Sequence, residues 1–587
     1  SGSKILRLDS VARSSLSNGS IHDLLQQETA LYLREYGSGM VSTLSMRGTG
    51  ASHTAVLWNG INLNSFTLGS TDFSNLPVFM FDRVEVHYGG GSSFYGSDAL
   101  GGSILLKSEN SGATGLQLQA HQTIGSFGQF FSGLKVHYGL GHWQFTSRVY
   151  RKKAENNFAF TNTAKFGGPE ERQANADIHN QGLMQEISYQ PSSNRRFSLN
   201  AWLEESENGI LPLMSNNLKP ETYERITDRH TRISAQYQHQ AGWGYLQATA
   251  GYVRDFQRYD TYAPIKTDRS LARLQYDKKI SDHLSFKTGA DWQYILADTE
   301  NYPQPKHQHR ADAYAALQWQ PLDWWELSLN LRQAWVSGYQ APLSPSLGSA
   351  IELLQSQKHS LQFKGQLARN YRVPTFNDLF WAPGGNPDLR AEHAWSYESG
   401  LLFTRQNFSA EATYYHSRVD DWIVWLDQGS FWSPANFREV VINGMEVNGR
   451  QLWQMGSFQF RLHATYAFTA SINQSRVNEF DRSAGKQLPY VPRHRAGLNA
   501  DLQWQEWSAG IFSQWTSRRF LTTTNESALP GFALLNLRLN KSFALWKTTS
   551  ALSLRVNNLL NTEYQNVANR AMPGRNYELS LQFKISQ

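Results

Sequence analysis

The stretch Phe458-Gln459-Phe460-Arg461-Leu462-His463-Ala464-Thr465-Tyr466-Ala467-Phe468-Thr469 places its apolar side chains at every second position. A strand shows successive side chains on opposite faces, so this segment has one greasy face and one polar face. The same alternation recurs at Leu327, Leu329, Leu331 and Trp335 against Ser328, Asn330, Arg332 and Ala334. It returns at the end of the chain, where Tyr577, Leu579, Leu581, Phe583 and Ile585 alternate with Glu578, Ser580, Gln582 and Lys584. Alternation sustained over about ten residues suits tilted strands that face lipid on one side and a wet lumen on the other.

Composition agrees. Aromatics make up 13% of the 587 residues, with 19 Trp, 26 Tyr and 31 Phe, while the mean hydropathy is −0.51. No apolar run reaches the roughly 18 residues that a membrane-spanning helix needs. A transmembrane barrel reconciles many aromatics with low hydropathy, because only half of each strand meets lipid. Soluble propellers share this composition, but they carry blade-sized internal repeats, and none is visible here.

Connections alternate in length. Gly139-Leu140-Gly141-His142, Pro191-Ser192-Ser193-Asn194 and Ile280-Ser281-Asp282-His283 read as short turns, whereas 153–180, 206–228, 371–393 and 469–489 read as long loops. Spread over the ~475 residues after the N-terminal part, this pattern gives roughly 22 strands, the size class of barrels whose lumen is plugged.

Residues 1–110 read differently, as a small α+β unit ahead of a barrel over 111–587. Ser20 is an N-cap for a helix with Ile21, Leu24 and Leu25 on one face. Short strands are expected at Thr43–Arg47, Thr54–Trp58 and Arg83–Tyr88, and Asn59-Gly60 is a hairpin signal. Within this unit lie Arg47-Gly48-Thr49-Gly50-Ala51-Ser52-His53, then Leu57-Trp58-Asn59-Gly60-Ile61-Asn62-Leu63-Asn64, then Tyr95-Gly96-Ser97-Asp98-Ala99-Leu100-Gly101-Gly102. In this order and within about sixty residues they resemble the plug domain of TonB-dependent outer-membrane transporters, most of all that of the cobalamin receptors. The likeness continues in the barrel. Tyr371–Leu379, Gly385–Leu389 and Glu392 resemble the family's mid-barrel loop. Asn557–Tyr564 and Met572–Arg575 resemble its closing segment.

The resemblance implies an all-β membrane protein, with a barrel of about 22 strands stoppered by its N-terminal plug. It implies import of cobalamin across the outer membrane, powered by an inner-membrane TonB–ExbB–ExbD complex. A ferric siderophore or haem receptor is the alternative, and a passive channel or adhesin would leave the plug motifs unexplained. It places two apical loops at Tyr36–Ser42 and Ser65–Thr71. There Tyr36, Met40, Val41, Phe66 and Leu68 would offer apolar surface, and Ser38, Ser42, Thr67 and Ser70 hydrogen bonds. Arg47, Gly48, Asn59, Gly60, Gly96, Gly101 and Gly102 belong to the plug's structural motif, the glycines fitting tight turns or close backbone approach. Arg47, Arg83 and Glu85 are candidate buried charges that hold the plug in the barrel. Some relatives also partner a surface lipoprotein.

Other readings are weaker. Gly89-Gly90-Gly91-Ser92-Ser93 lacks the spacing of a dinucleotide fingerprint and the Lys of a P-loop. Cobalamin receptors hold calcium in an Asp-rich loop, but the comparable loop here offers only the scattered Glu170, Glu171 and Asp177, so no cofactor is expected. His307 and His309 are expected in a solvated loop rather than at a metal. No Ser/His or carboxylate constellation marks an enzyme. The net charge of +6 is dispersed, so nucleic acid is not an expected partner. There is no cysteine, which suits passage through an oxidising compartment. Ser1-Gly2-Ser3-Lys4 does not resemble a signal peptide, so a mature or truncated chain is expected, and Ser1–Asp9 does not resemble the family's TonB box, which is expected to be removed or to lie upstream.

Overall fold

The computed structural model describes residues 2–108, 112–217, 219–261, 263–476, 478–545 and 548–586. The alternating segments form one closed sheet of 22 antiparallel strands. It starts at Gly115–Gly125 and closes where Asn576–Ser586 pairs with that first strand, setting Leu579 opposite Ile124 and Ser580 opposite Thr123. Closure pairs every strand on both sides, which an apolar solvent demands of backbone N–H and C=O groups.

Side chains sort as the alternation requires. In Phe458–Asn473, Phe458 lies on the outside, whereas His463, Thr465, Thr469 and Ser471 are buried inside. Outward aromatics gather beside the short turns, with Trp143 against Tyr189 at 4.6 Å, Phe197 against Tyr237 at 4.8 Å and Phe458 against Trp504 at 5.7 Å between ring centroids. Such rows form the girdle of a membrane barrel. The turns at Gly141-His142, Ser193-Asn194 and Asp282-His283 share this end, and the long loops 155–177, 210–224, 373–391 and 474–493 share the other. Two further long loops, 517–531 and 558–575, do not stand out in the sequence.

His307 and His309 differ from expectation. They begin the strand Lys306–Leu322 and face outward, where His309 packs 4.9 Å from the Tyr294 ring. The ladder to Tyr294 and Leu296 extends past the Pro-containing segment and carries them with it.

The N-terminal unit sits inside the lumen. Its sheet has the order Ile5–Arg7, Arg83–Tyr88, Gly102–Lys107, Thr54–Trp58, Ile61–Asn62, with only Thr54–Trp58 parallel to its neighbour Gly102–Lys107. Asn59 and Gly60 both take positive φ (46° and 89°), the type I′ geometry that closes a two-residue hairpin. The helix Ile21–Glu28 starts where the Asp23 carboxylate accepts from Ser20 N at 2.7 Å and Ser20 Oγ at 2.9 Å, and it buries Ile21, Leu24 and Leu25. The strand expected over Thr43–Arg47 ends at Ser45, because Arg47 turns off at φ 52° to reach the wall. The expected boundary at residue 110 falls at 109–111, outside the described residues.

Plug and wall meet through aromatic contacts. Trp58 and Trp202, both fully buried, lie 5.3 Å apart, and Phe81 stands 5.5 Å from the same Trp202 ring. Edge-to-face pairs of this kind add about 0.5–1.5 kcal/mol beyond their buried area.

Candidate functional site

Arg47 is the centre of the plug's attachment. Its Nη1 donates to Glu398 Oε2 at 2.5 Å, and its Nε and Nη2 donate to Glu446 Oε1 and Oε2 at 3.2 Å each. Lys4 joins from the plug, with Nζ 2.9 Å from Glu446 Oε2 and its backbone N donating to Glu398 Oε1 at 3.1 Å. Two plug cations thus face two wall carboxylates, all buried. The Arg47 guanidinium also lies over the Tyr415 ring at 4.5 Å. Burial alone would lower its pKa, but Glu446 and Glu398 outweigh burial and raise it, so the charge is fixed.

His53 makes a second attachment. Gly50 N donates to its Nδ1 at 3.0 Å, so the proton resides on Nε2, which donates to Glu392 Oε2 at 2.8 Å. Glu392 is shared with Arg372 Nη1 at 2.8 Å, and Arg372 Nη2 continues to Asp378 Oδ2 at 2.9 Å. Asp378 in turn caps the helix Phe376–Phe380, accepting from Thr375 N at 2.9 Å. A hydrogen-bonded chain therefore runs from the plug, through the wall, into loop 373–391. Arg83 and Glu85 act differently from Arg47. Glu85 pairs with Arg7 at 3.0 Å, Arg83 at 3.7 Å and His87 at 3.5 Å, all within the plug.

Both apical loops lie at the long-loop end. In the first, Tyr36, Ser38, Met40 and Val41 are half-buried, while Ser42 is fully buried with its Oγ 2.6 Å from His22 Nδ1. Arg34 beside it stacks on Tyr490 at 4.5 Å. In the second, Leu68 is 48% exposed and Ser70 half-buried. Phe66 and Thr67 are covered instead of open. Phe376 N donates to Phe66 O at 3.0 Å and Asn377 N to Thr67 O at 3.3 Å, and the Phe66 ring is held between Arg269 at 4.8 Å and Arg310 at 4.7 Å. Nothing in the local sequence marks Glu398, Glu446 or Glu392 as plug partners. The family-like Glu392 came nearest to a signal.

Gly48, Gly60, Gly96 and Gly102 all have positive φ, and a Cβ on Gly101 would stand 2.4 Å from Thr49 Oγ1. At Gly102, φ is 149° and a Cβ would lie 2.1 Å from Met46 Sδ and 2.5 Å from the His87 carbonyl. Gly102→Ala is therefore expected to destabilise the plug by about 1–3 kcal/mol, read as earlier protease nicking within the plug with the barrel intact.

A cluster of carboxyls underlies the first apical loop. Burial and then the Asp23 charge push Glu35 up to about 8, with the Gly39 amide and Lys152 pulling the other way. Burial likewise raises Asp72 to about 6, against hydrogen bonds from Ser42 and Ser74. Carboxyls raised from 4.5 and 3.8 bind more protons folded than unfolded, so this corner loses stability as pH rises through those windows. Amides of the hairpin Tyr32–Glu35/Ser42–Ser45 should open more often at pH 9 than at pH 5, by hydrogen exchange corrected for intrinsic rates. Glu35→Gln should flatten that dependence, and an unchanged slope in the variant would contradict it.

Glu171 and Asp177 are engaged by Lys165 at 2.7 Å and Arg225 at 2.7 Å. Among the described residues, no three His, Asp or Glu side chains converge as a metal site.

A plugged 22-stranded barrel, with ion pairs joining plug to wall, defines a class, and comparison with known proteins gives its family. The family model for TonB dependent receptor-like β-barrels matches residues 48–559, and this chain belongs to that family. It is a transmembrane β-barrel receptor of the transport type.

Relatives named Vitamin B12 transporter BtuB match over most of their length. The one from Photobacterium profundum is 22% identical over 581 residues, covering 96% of this chain and 90% of the relative. One from Vibrio vulnificus is 23% identical over 590 residues, with 96% and 90% covered. Among solved structures, the siderophore receptor PirA from Acinetobacter baumannii superposes with a TM-score of 0.81 at 14% identity, covering 100% of this chain and 98% of that one. A mutant of the ferric enterobactin receptor PfeA from Pseudomonas aeruginosa gives 0.80 at 15% identity, covering 100% and 98%. At such identities these two likenesses speak for the fold alone.

Proposed function

We propose that this chain imports cobalamin or a related corrinoid across the outer membrane of a Gram-negative bacterium. One observation carries the reading: proteins named vitamin B12 transporters align with 96% of the chain, including the Arg47–His53 run of the plug. Ligand binds at the long-loop end, against the apical loops Tyr36–Ser42 and Ser65–Thr71. The inner-membrane TonB–ExbB–ExbD complex, driven by the proton-motive force, pulls on the plug and opens a path. The outward apolar faces of the strands sit in outer-membrane lipid.

The second reading is a ferric siderophore or haem; of these, only the siderophore appears in the names of the two structural neighbours, whose likeness speaks for the fold. Uptake of radiolabelled cyanocobalamin separates the two, using cells that lack a receptor of their own and carry this chain with or without active TonB. The proposal expects uptake only with active TonB. Uptake of a ferric siderophore with none of cobalamin would overturn it.

A further inference from the structure

Two cavities lie between the plug and one stretch of wall, that formed by the strands from Phe458–Asn473 through Asn576–Ser586 and Gly115–Gly125 to Ile178–Ser192. The upper, of about 270 Å³, reaches the long-loop end at Phe127 and Asn558, and Ser38 and Gly39 of the first apical loop line it. The lower, of about 280 Å³, reaches the short-turn end at Gln505 and Trp507. Asn18, Asp501 and Arg538 line both cavities, so a single layer of side chains separates them. The upper cavity is lined by carboxamides, among them Gln26, Asn156, Asn180, Asn499 and Asn536, and by charges of both signs, Asp23, Glu35 and Glu578 against Lys152, Arg538 and Arg555.

The dividing layer is polar. Arg538 Nη2 donates to Asp501 Oδ1 at 2.6 Å, and Asn18 Nδ2 donates to Glu578 Oε2 at 2.8 Å. Asn18 belongs to the short link 16–20 between the helices Ser10–Ser15 and Ile21–Glu28. That link and the end of the first helix are tied to the wall through side chains. Gln582 Nε2 donates to Ser17 Oγ at 3.0 Å and to Ser14 O at 3.3 Å, Ser17 Oγ meets His121 Nδ1 at 2.7 Å, and Arg555 donates to Ser15 O. The opposite wall is built otherwise. Its larger cavity, of about 1060 Å³, is backed by Arg273 and Arg332, which hold the plug carbonyls of Gly60 at 3.1 Å and Phe94 at 2.9 Å and are locked to Asp291.

We infer that the ligand crosses along the first wall, through a gate made by Asn18, Asp501 and Arg538, when residues 14–18 are drawn away from Gln582, His121, Arg555 and Glu578. The rest of the plug stays seated on Arg47 and His53. The substrate class follows from the lining. Carboxamides both donate and accept, and the acids and bases beside them are of both signs, so the lining suits a neutral ligand rich in amide or hydroxyl groups over an ion of either charge. The choice of ligand rests on the import reading above, whereas the gate rests on the cavities.

The chain has no cysteine, so introduced pairs are unique. Ser17→Cys with Gln582→Cys, joined by a short reducible bis-thiol reagent, should abolish cobalamin uptake and release it on reduction. Ser93→Cys with Ser346→Cys should form a disulfide at the opposite wall, where the two hydroxyls lie 3.0 Å apart, and leave uptake intact. Loss of uptake in both would mean that the plug leaves as a whole, and loss in neither would remove the gate; each overturns the proposal. A ligand-independent arm keeps the gate separate from the import reading. In planar bilayers, Asn18→Gly with Arg538→Ser should conduct small ions where the unaltered protein is closed. Conductance with no cobalamin uptake by the unaltered protein would refute the ligand and keep the gate. A closed double variant would refute the gate.

Discussion

Arg47→Ala is expected to loosen the plug by about 3–5 kcal/mol, because it strands two buried carboxylates that Lys4 alone must then neutralise. Glu398 loses its side-chain partner in the plug, and Glu446 keeps only the Lys4 ammonium at 2.9 Å. Hydrogen exchange across residues 42–58 reads the effect directly, and import should fall with it. Glu398→Gln with Arg47→Met should recover much of the loss, since the two charges left, Lys4 and Glu446, are already paired with each other at 2.9 Å. A plug as protected in Arg47→Ala as in the unaltered protein would show that the ion pairs contribute nothing to its seating.

Deleting residues 1–108 should convert the closed barrel into a continuously conducting pore. The barrel closes through its own ladder, Asn576–Ser586 onto Gly115–Gly125, and no plug strand takes part in it. A 22-stranded ring is wide enough to leave an aqueous lumen once empty. Reconstituted in planar bilayers, the truncated chain should give steady current and the whole chain almost none. A truncated chain that folds as a barrel yet stays closed would require the loops at the long-loop end to seal the lumen by themselves.

The barrel was legible because a strand repeats every two residues and its signal is local. Phe458 to Thr469 states its two faces without reference to any distant residue. The hairpin at Asn59-Gly60 and the cap at Ser20 were legible for the same reason. What joins plug to wall was not. Arg47 reaches Glu398 and Glu446 across a separation of 351 and 399 residues, and an inward Glu in an alternating strand resembles every other lumen residue. Phe66 shows the same limit. An aromatic in a loop reads as open surface, yet the helix Phe376–Phe380 that covers it arrives some three hundred residues later. His307 and His309 mislead in the opposite sense, since a nearby Pro suggests a loop and the neighbouring strand's ladder overrides it. Arg83 and Glu85 carry the right chemistry for a plug–wall contact, but as alternate residues of one strand they share a face, and the neighbouring strand sets Arg7 opposite Glu85.

The central claim is tested most directly by equilibrium titration of the purified, detergent-solubilised chain with cyanocobalamin, run beside a ferric siderophore and haemin. Saturable binding of cyanocobalamin alone is the predicted result, weakened when Tyr36 and Met40 are replaced by Ala in the apical loop. Well-folded protein that saturates with the siderophore or haemin and ignores cyanocobalamin would contradict the account.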